Sequence, residues 1–181
     1  MDAVLQAIAR AALDATGAEV SWVLLLDREQ LLAVAAAGPR AGDLLGSELP
    51  LGVGTAGYVV SSGQPMALVP RGPDARLAEG LGARLGRSPA SVLCVPCHDD
   101  DVVVGAIELV DKAGGAPFSF DDVELVTLLG GIAGPALRAG GPQEAVRPPA
   151  EFAIELAHLA SSDPPAYARL SVVLEALLAR G

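Results

Sequence analysis

The stretch SVLCVPCHDDDVVVGAIELVDK, Ser91–Lys112, decides the fold. Within and just before it, two apolar runs, Ala90–Cys97 and Val102–Val110, flank the acidic segment Asp99–Asp101. Apolar runs rich in β-branched residues and separated by a short polar segment are typical of two antiparallel strands joined by a turn. We therefore predict a β-hairpin here, and the rest of the chain must supply the layers that cover it.

Elements with equally clear signals lie on both sides of this hairpin. Upstream, residues 2–16 carry apolar side chains at helical spacing, and two strand-like runs, Glu19–Asp27 and Gln30–Ala37, follow. Downstream, residues 119–138 have the pattern of a long helix that a serine caps. This order predicts an α+β domain with a central, mostly antiparallel sheet. The N- and C-terminal helices would pack on one face, and the other face offers a possible ligand pocket.

Composition divides the chain into three parts. Residues 1–139 form the predicted domain, residues 140–150 are a linker rich in Gly and Pro, and residues 151–181 are predicted as a helical extension. About 40 residues after the domain are too few for a typical output domain. We therefore expect any signal to pass through a partner protein.

Charge and hydropathy exclude several classes of function. The formal net charge of −10 would repel a polyanion, so we predict no nucleic-acid partner. Although 51% of the residues are hydrophobic, we see no apolar stretch near the roughly 18 residues that a membrane span needs, and no secretion signal. Two cysteines are too few for a disulfide framework, which favours a cytoplasmic protein.

Three stretches, in this order, resemble the GAF domain family. LPLGVGTAGYVVSSGQPMALVP, Leu49–Pro70, is similar to the family's glycine-rich entry to its second helix and the following strand. Ser91–Lys112 resembles the signature hairpin, with its Val-Pro step and Gly-x-x-Glu-Leu run. FSFDDVELVTLLGGIAGPAL, Phe118–Leu137, resembles the closing helix. The resemblance covers about Val4 to Leu137 and is that of a stand-alone member with a short helical extension.

The resemblance implies a sensory or regulatory module and not an enzyme. Members of the family typically bind a small molecule over one sheet face or dimerise through their terminal helices. Cyclic-nucleotide-binding members carry an Asn-Lys pair, a later Phe and then Asp-Glu. Here those positions are Asp111-Lys112, Phe118 and Asp122-Val123, so two residues of that pattern are replaced and a cyclic nucleotide is not favoured.

Other ligand classes of the family are matched no better. Cys97-His98 imitates the Cys-His pair of bilin-binding members but lies at the end of a predicted strand. Neither His98 nor His158 is placed to ligate haem in a pocket, so we expect no cofactor. Free methionine sulfoxide reductases of the family carry a cysteine in the glycine-rich segment, and Gly52–Gly57 has none. A cysteine-dependent reductase therefore remains the least favoured alternative.

Residue type and position suggest a set of pocket residues. Glu108 is the one charged residue inside the apolar run Val102–Val110, so it either faces solvent at an edge or accepts a hydrogen bond in the pocket. Arg76, Arg84 and Arg87 are candidate partners from the middle of the chain. The predicted pocket residues are Met66, Leu68, Leu77, Leu81, Leu93, Val95 and Glu108, and core packing is the alternative for the apolar ones.

The two terminal helices of the domain carry more apolar residues than one buried stripe requires. One stripe must cover the sheet, and a second strip of small and aliphatic side chains would pair with another copy of the chain. We therefore predict a homodimer through these helices. The predicted contact residues are Val4, Ile8, Leu125, Leu129, Ile132, Ala133 and Ala136.

Three short motifs suggest chemistry but have simpler explanations. Cys94-Val95-Pro96-Cys97 has redox or zinc spacing, yet residues three apart on a strand point to opposite faces and no second ligand pair exists. His98 beside Asp99–Asp101 is better explained as a polar turn than as a cation site. Gly52–Gly57 lacks the residues of a nucleotide-binding loop. We predict no catalytic residue and no metal site.

Overall fold

The computed structural model describes residues 2–70, 80, 84–140 and 149–178. The chain divides into two compact units, Met1–Gly141 and Pro142–Gly181. The first unit holds a sheet with flanking helices, and the second holds a pair of helices.

Six strands of the first unit form one sheet in which every neighbouring pair is antiparallel. The order across the sheet is β3-β2-β1-β6-β5-β4. The predicted hairpin forms the centre of this sheet together with the first strand, which lies beside its second arm. The strands are β1 (Ala18–Asp27), β2 (Gln30–Ala37), β3 (Glu48–Pro50), β4 (Met66–Leu68), β5 (Val92–Asp99) and β6 (Val102–Lys112).

Helices precede, interrupt and follow the strands. Among the described residues of the first unit, the helices are α1 (Ala3–Thr16), α2 (Ala41–Leu44), α3 (Gly54–Ser62) and α4 (Phe120–Gly140), and a 3-10 turn spans Ala113–Gly115. In the second unit they are α5 (Pro149–Ser162) and α6 (Pro164–Leu178). The carboxylate of Asp2 caps α1 through the backbone N–H of Val4, and left-handed Gly17 ends the helix.

Side chains alternate along each strand and build a separate core on each face of the sheet. On one face, α1 and α4 cover residues such as Val23, Leu93 and Ile107. On the other face, α3 and the short α2 cover residues such as Trp22 and Ala106. The predicted α+β architecture, with both terminal helices of the domain on one face, is confirmed.

The helix α4 lies unusually close to β5. A Cβ on Gly134 would overlap the carbonyl oxygen of His98, and a Cβ on Gly130 would lie 2.8 Å from that of Pro96. These glycines are four residues apart, so both lie on the side of the helix that faces the sheet. Glycine is required there because the neighbouring atoms belong to the strand backbone.

The same helix corrects one expectation from the sequence. By length and composition alone, Phe120–Gly140 is apolar enough to cross a membrane, whereas we expected no stretch of that kind. One side of the helix, including Val126, Ala133 and Leu137, is buried in the core over the sheet, although only 28% of its apolar window is buried. The core helix of a soluble domain can have the same length and apolar composition.

One short strand was not predicted from the sequence. It is β3, which pairs with β2 over three residues. The sequence also predicts a helical segment near Ala75–Leu85, and this prediction lies mostly outside the described residues.

Candidate functional site

A buried carboxylate lies at the centre of the sheet face that α3 covers. Glu108 on β6 is only 3% exposed, and its register partners are Trp22 on β1 and Cys94 on β5. Met66 on β4 is in turn the register partner of Cys94. Trp22, Glu108, Cys94 and Met66 therefore lie in one row across four strands, and Glu108 is the one carboxylate in that row.

Two neutral donors hold this carboxylate. The indole N–H of Trp22 donates to Oε2 at 3.0 Å, and the hydroxyl of Thr55 on α3 donates to Oε1. Burial raises the pKa of Glu108 to about 7, although the hydrogen bonds from Thr55 and Trp22 act in the opposite direction. The group therefore titrates near neutral pH, and its charge state is coupled to the contact between α3 and the sheet.

The glycine-rich segment positions Thr55 over the carboxylate. Thr55 is the second residue of α3, which starts at Gly54 after a tight turn. A Cβ on Gly57 would come within 2.7 Å of the backbone nitrogen of Gly52, so the turn folds directly against the first turn of the helix. The glycines thus have a structural role that places a hydroxyl donor at the helix start.

The structure separates the predicted pocket residues into three groups. Met66 and Leu68 are half-buried beside the core on the α3 side, the same face as Glu108. Leu93 and Val95 pack on the opposite face beneath α4, because the alternation of β5 points them away from Cys94. A pocket around Glu108 would not include these two, and this corrects our expectation. Two further predicted residues, Leu77 and Leu81, lie outside the described residues.

The arginines considered as partners of Glu108 have other contacts. Arg84 donates to the hydroxyl of Ser47 and to the carbonyl oxygen of Glu48. Arg87 bridges Glu19 and Asp111, with nitrogen–oxygen distances of 3.0 and 2.6 Å. The remaining candidate, Arg76, lies outside the described residues.

The sequence pattern did not indicate that Trp22 and Thr55 are the partners of Glu108. One signal was available for Trp22, because a tryptophan inside an apolar strand needs an acceptor for its N–H when it is buried. Thr55 offered no such signal, since a threonine at a helix start is ordinary. Its role depends on which helix covers the sheet at that point.

Both cysteines are free and buried, and they lie on opposite faces of the sheet. Burial raises the pKa of Cys97 to about 12, and burial together with the charge of Glu108 and Cys97 raises that of Cys94 well above its ordinary value. A thiol with a raised pKa is a poor nucleophile. Among the described residues, no group of three or more His, Cys, Asp or Glu side chains is arranged to hold a metal ion.

The residues at the positions of the cyclic-nucleotide pattern contact one another and their neighbours. Lys112 forms an ion pair with Asp122, which also accepts hydrogen bonds from the backbone and hydroxyl of Ser119. Burial alone would raise the pKa of Asp122, but the hydrogen bonds from Lys112 and Ser119 outweigh it and lower the pKa. Asp111 adopts a left-handed conformation and accepts from the backbone N–H of Ala90 at 2.6 Å. These contacts attach the end of β6 to its neighbours.

The predicted dimer residues lie at different depths. Val4 on α1 and Leu125 and Ile132 on α4 are exposed. Ile8 and Ala133 are buried in the core over the sheet, which corrects our expectation that they reach a partner. Leu129 and Ala136 are half-buried against the same core. Two exposed apolar residues of α4 were not predicted, Phe120 at 74% and Leu128 at 70% exposure.

Comparison with known proteins agrees with this architecture. A family model of the GAF domain matches residues 1–138. The second GAF domain of DevS from Mycobacterium smegmatis is 27% identical, over 75% of this chain and 91% of that one, with a TM-score of 0.59. The GAF domain/HD domain protein from Geobacter sulfurreducens is 17% identical, over 74% and 89% of the two chains, with a TM-score of 0.62.

A similar fold also occurs in an enzyme. The type II free methionine-R-sulfoxide reductase from Thermoplasma acidophilum is 18% identical, over 74% of this chain and 89% of that one, with a TM-score of 0.60. At such identity the likeness concerns the fold alone. The match of the family model over most of the chain and the six-stranded antiparallel sheet together give one conclusion: the chain belongs to the GAF domain family.

Proposed function

We propose that this chain is a regulatory GAF module that forms a homodimer through the outer side of α4 and passes its signal to a partner protein. The observation that carries the proposal is an exposed apolar stripe on α4, formed by Leu125, Leu128 and Ile132, which we call the α4 stripe. Its members are three and four residues apart, so they lie on one side of the helix.

The α4 stripe lies on a rigid part of the fold. Its helix packs against α1 and the sheet through a continuous core, so the exposed side chains are presented on a fixed surface. A Cβ on Gly140 would lie 3.6 Å from the carboxylate of Asp2, so the end of α4 meets the start of α1. Val4, near that start, is also exposed. A two-fold axis would bring two identical stripes together.

Charged residues introduced into the α4 stripe should dissociate the dimer. We expect the intact protein to have about twice its 18.2 kDa chain mass by light scattering at micromolar concentration. Leu128→Asp combined with Ile132→Asp should raise the dissociation constant roughly 100-fold or more, because two carboxylates would be buried at the interface.

The matched control is Thr127→Asp, on the same helix. Thr127 is exposed, and its hydroxyl contacts only the carbonyl oxygen of Val123 one turn earlier. This control should remain dimeric. If the wild-type protein is still monomeric when its concentration is raised 100-fold above that of the first measurement, the proposal is contradicted.

A second candidate function is the binding of a small molecule on the face that α3 covers, with Glu108 as the polar contact. The supporting observation is that the carboxylate is buried and that its two hydrogen-bond partners, Trp22 and Thr55, are both neutral. Partly buried Met66 and Leu68 pack against the core on the same face, so a ligand that reached the carboxylate would meet an acceptor among apolar side chains. The alternative is a ligand-free scaffold whose own side chains fill this space.

Ligand binding at Glu108 should appear as a change in thermal stability. A metabolite screened at 100 times its dissociation constant adds about 2.7 kcal/mol to the free energy of unfolding. Glu108→Gln removes the charge and one of the two acceptor oxygens of the proposed contact, so it should reduce that increment. Tyr58→Phe, at a half-exposed position on α3, is the control. A screen with no stabilising compound would favour the ligand-free scaffold.

The contacts of the two cysteines do not favour an enzyme. An enzyme that works through a cysteine needs an accessible thiolate. Here Cys94 is enclosed beside Glu108 and Cys97 lies beneath α4, on the other face of the sheet. We therefore propose a regulatory function without catalysis for this chain.

A further inference from the structure

Glu108 connects the helix α3 to the sheet. One of its carboxylate oxygens accepts from the indole of Trp22, which belongs to the sheet, and the other accepts from the hydroxyl of Thr55, which belongs to the helix. Glu108 is 3% exposed and Thr55 is 6% exposed, so the contact is enclosed between the two layers. The first turn of α3 is therefore attached to the sheet through an acid that is almost closed to solvent.

No cation compensates the charge of this acid. Among the described residues, no lysine, arginine or histidine forms an ion pair with Glu108. Moving a carboxylate out of water is costly unless a cation or several donors compensate its charge. Here burial outweighs the two hydrogen bonds and raises the pKa of Glu108 to about 7. The closed arrangement of α3 on the sheet therefore favours the protonated acid.

The surroundings of Glu108 offer one other group that could respond to pH near neutrality. The described side chains in its row and above it are neutral: Trp22 from β1, Thr55 from α3, Cys94 from β5 and Met66 from β4. Burial, and then the charges of Glu108 and Cys97, raise the pKa of Cys94 well above its ordinary value, so this thiol stays protonated. Farther along β5, His98 lies at the other end of α3, where a Cβ on Gly63 would be 4.0 Å from its Nε2. Histidine can change its charge in this range, so a test of Glu108 needs a control at His98.

The helix α3 is bounded by two glycines that can act as hinges. Gly54 at its start and Gly63 after its end have positive φ angles of 70° and 66°, which glycine adopts without strain. Apart from Thr55, the side chains that the helix buries are small and apolar: Ala56, Val59 and Val60. A short helix of this kind can change its angle to the sheet without losing its internal hydrogen bonds.

We propose that the charge of Glu108 is a switch for the position of α3. The protonated acid keeps the helix closed on the sheet, and loss of the proton favours an open state in which the first turn of α3 has moved away and water solvates the carboxylate. The reason is that water stabilises an uncompensated charge better than two neutral donors do. The open state uncovers Cys94, which is 0% exposed in the closed one. This inference concerns the same carboxylate as the second candidate function, but it needs neither a ligand nor the α4 stripe, so each can fail separately.

The test labels the two native thiols of the intact protein with iodoacetamide and quantifies each by mass spectrometry. Each rate is divided by that of the urea-unfolded chain at the same pH, which removes the ordinary effect of pH on thiol reactivity. Between pH 6 and pH 8 the corrected rate at Cys94 should rise about tenfold, as for an acid whose pKa is about 7 when closed and 4.5 when exposed.

The second thiol separates opening of α3 from unfolding of the whole unit. Cys97 is buried on the opposite face of the sheet, beneath α4, so movement of α3 does not uncover it. At pH 8 Cys94 should react at least about tenfold faster than Cys97. If both thiols react at the same rate and respond equally to pH, only global unfolding exposes them and the inference fails. This comparison needs no substitution at Glu108, so it decides the question even if a variant there does not fold.

Three variants identify the group that titrates. Glu108→Gln should remove the rise at Cys94, because the amide has no charge for water to solvate. His98→Gln and exposed Glu124→Gln are the controls, and both should keep the rise. A rise that persists in Glu108→Gln, or that disappears in His98→Gln, would overturn the inference.

Discussion

Gly134→Ala should destabilise the first unit by about 3 kcal/mol or more, a larger effect than most single methyl additions. The added Cβ would overlap the carbonyl group of His98 on β5. The atoms that it meets belong to the backbone of β5, which cannot change rotamer as a flexible side chain would. The helix α4 would have to move away from the sheet, and the core contacts of Val126, Ala133 and Leu137 would weaken with it.

The matched control is three residues earlier on the same helix. A Cβ on Gly131 meets nothing within 4 Å, so Gly131→Ala should stabilise the protein by roughly 0.5–1 kcal/mol through helix propensity alone. Urea unfolding followed by fluorescence measures both, because Trp22 is the only tryptophan and is buried in the first unit. Equal effects of the two substitutions would contradict the close approach of α4 to β5.

Glu108 should make the stability of the first unit fall as the pH rises towards 7. Its pKa is about 7 in the folded protein against an ordinary value of 4.5, so the folded state holds the proton more tightly than the unfolded chain does. The stability that protonated Glu108 contributes is complete below pH 4.5 and is lost as the pH rises to about 7. Above that pH, this group causes no further change in the free energy of unfolding. The two pKa values correspond to a loss of about 3 kcal/mol.

Glu108→Gln should remove this dependence on pH. The amide keeps an acceptor for Trp22 and carries no charge, so the variant should exceed the wild type in stability at pH 8 and approach it at pH 5. Exposed Glu124→Gln is the control and should leave the slope unchanged. The pKa of Asp122 is lowered, so the stability that it contributes is lost only in more acidic solution. Parallel curves for Glu108→Gln and the wild type would refute this assignment.

Local patterns predicted most of the fold. The hairpin, the first two strands and the terminal helices of the domain have strong periodicity and clear caps, and each formed where expected within a few residues. The exception among the strands is β3, which is only three residues long and pairs at the sheet edge. So short a strand is specified by its partner β2 and not by its own residues.

The site was predictable only in part, because it depends on which face each strand turns inward. A shift of one residue reverses the face, so Leu93 and Val95 were placed with Glu108 although they lie on the opposite side. Glu108 itself was identifiable, since a lone charge in an apolar strand is costly without a partner. Its contact with Thr55 joins residues 53 positions apart and could not be inferred from spacing.

The depth of helical residues was similarly hard to predict. Ile8 and Ala133 belong to the same apolar patterns as Val4 and Ile132, yet the first two are buried and the last two are exposed. A helix that packs against both a sheet and another helix buries a wide part of its circumference. The sequence pattern does not show which residues lie at the edge of the buried part.

The most direct test of the proposed dimer is disulfide cross-linking through cysteines placed on α4. Cys94 and Cys97 are buried, so an introduced surface thiol dominates the reaction under mild oxidation. At least one of Leu125→Cys, Leu128→Cys and Ile132→Cys should give a covalent dimer, whereas Thr127→Cys should react far less. If all three stripe cysteines cross-link no faster than Thr127→Cys, the α4 stripe is not the dimer interface and the account is contradicted.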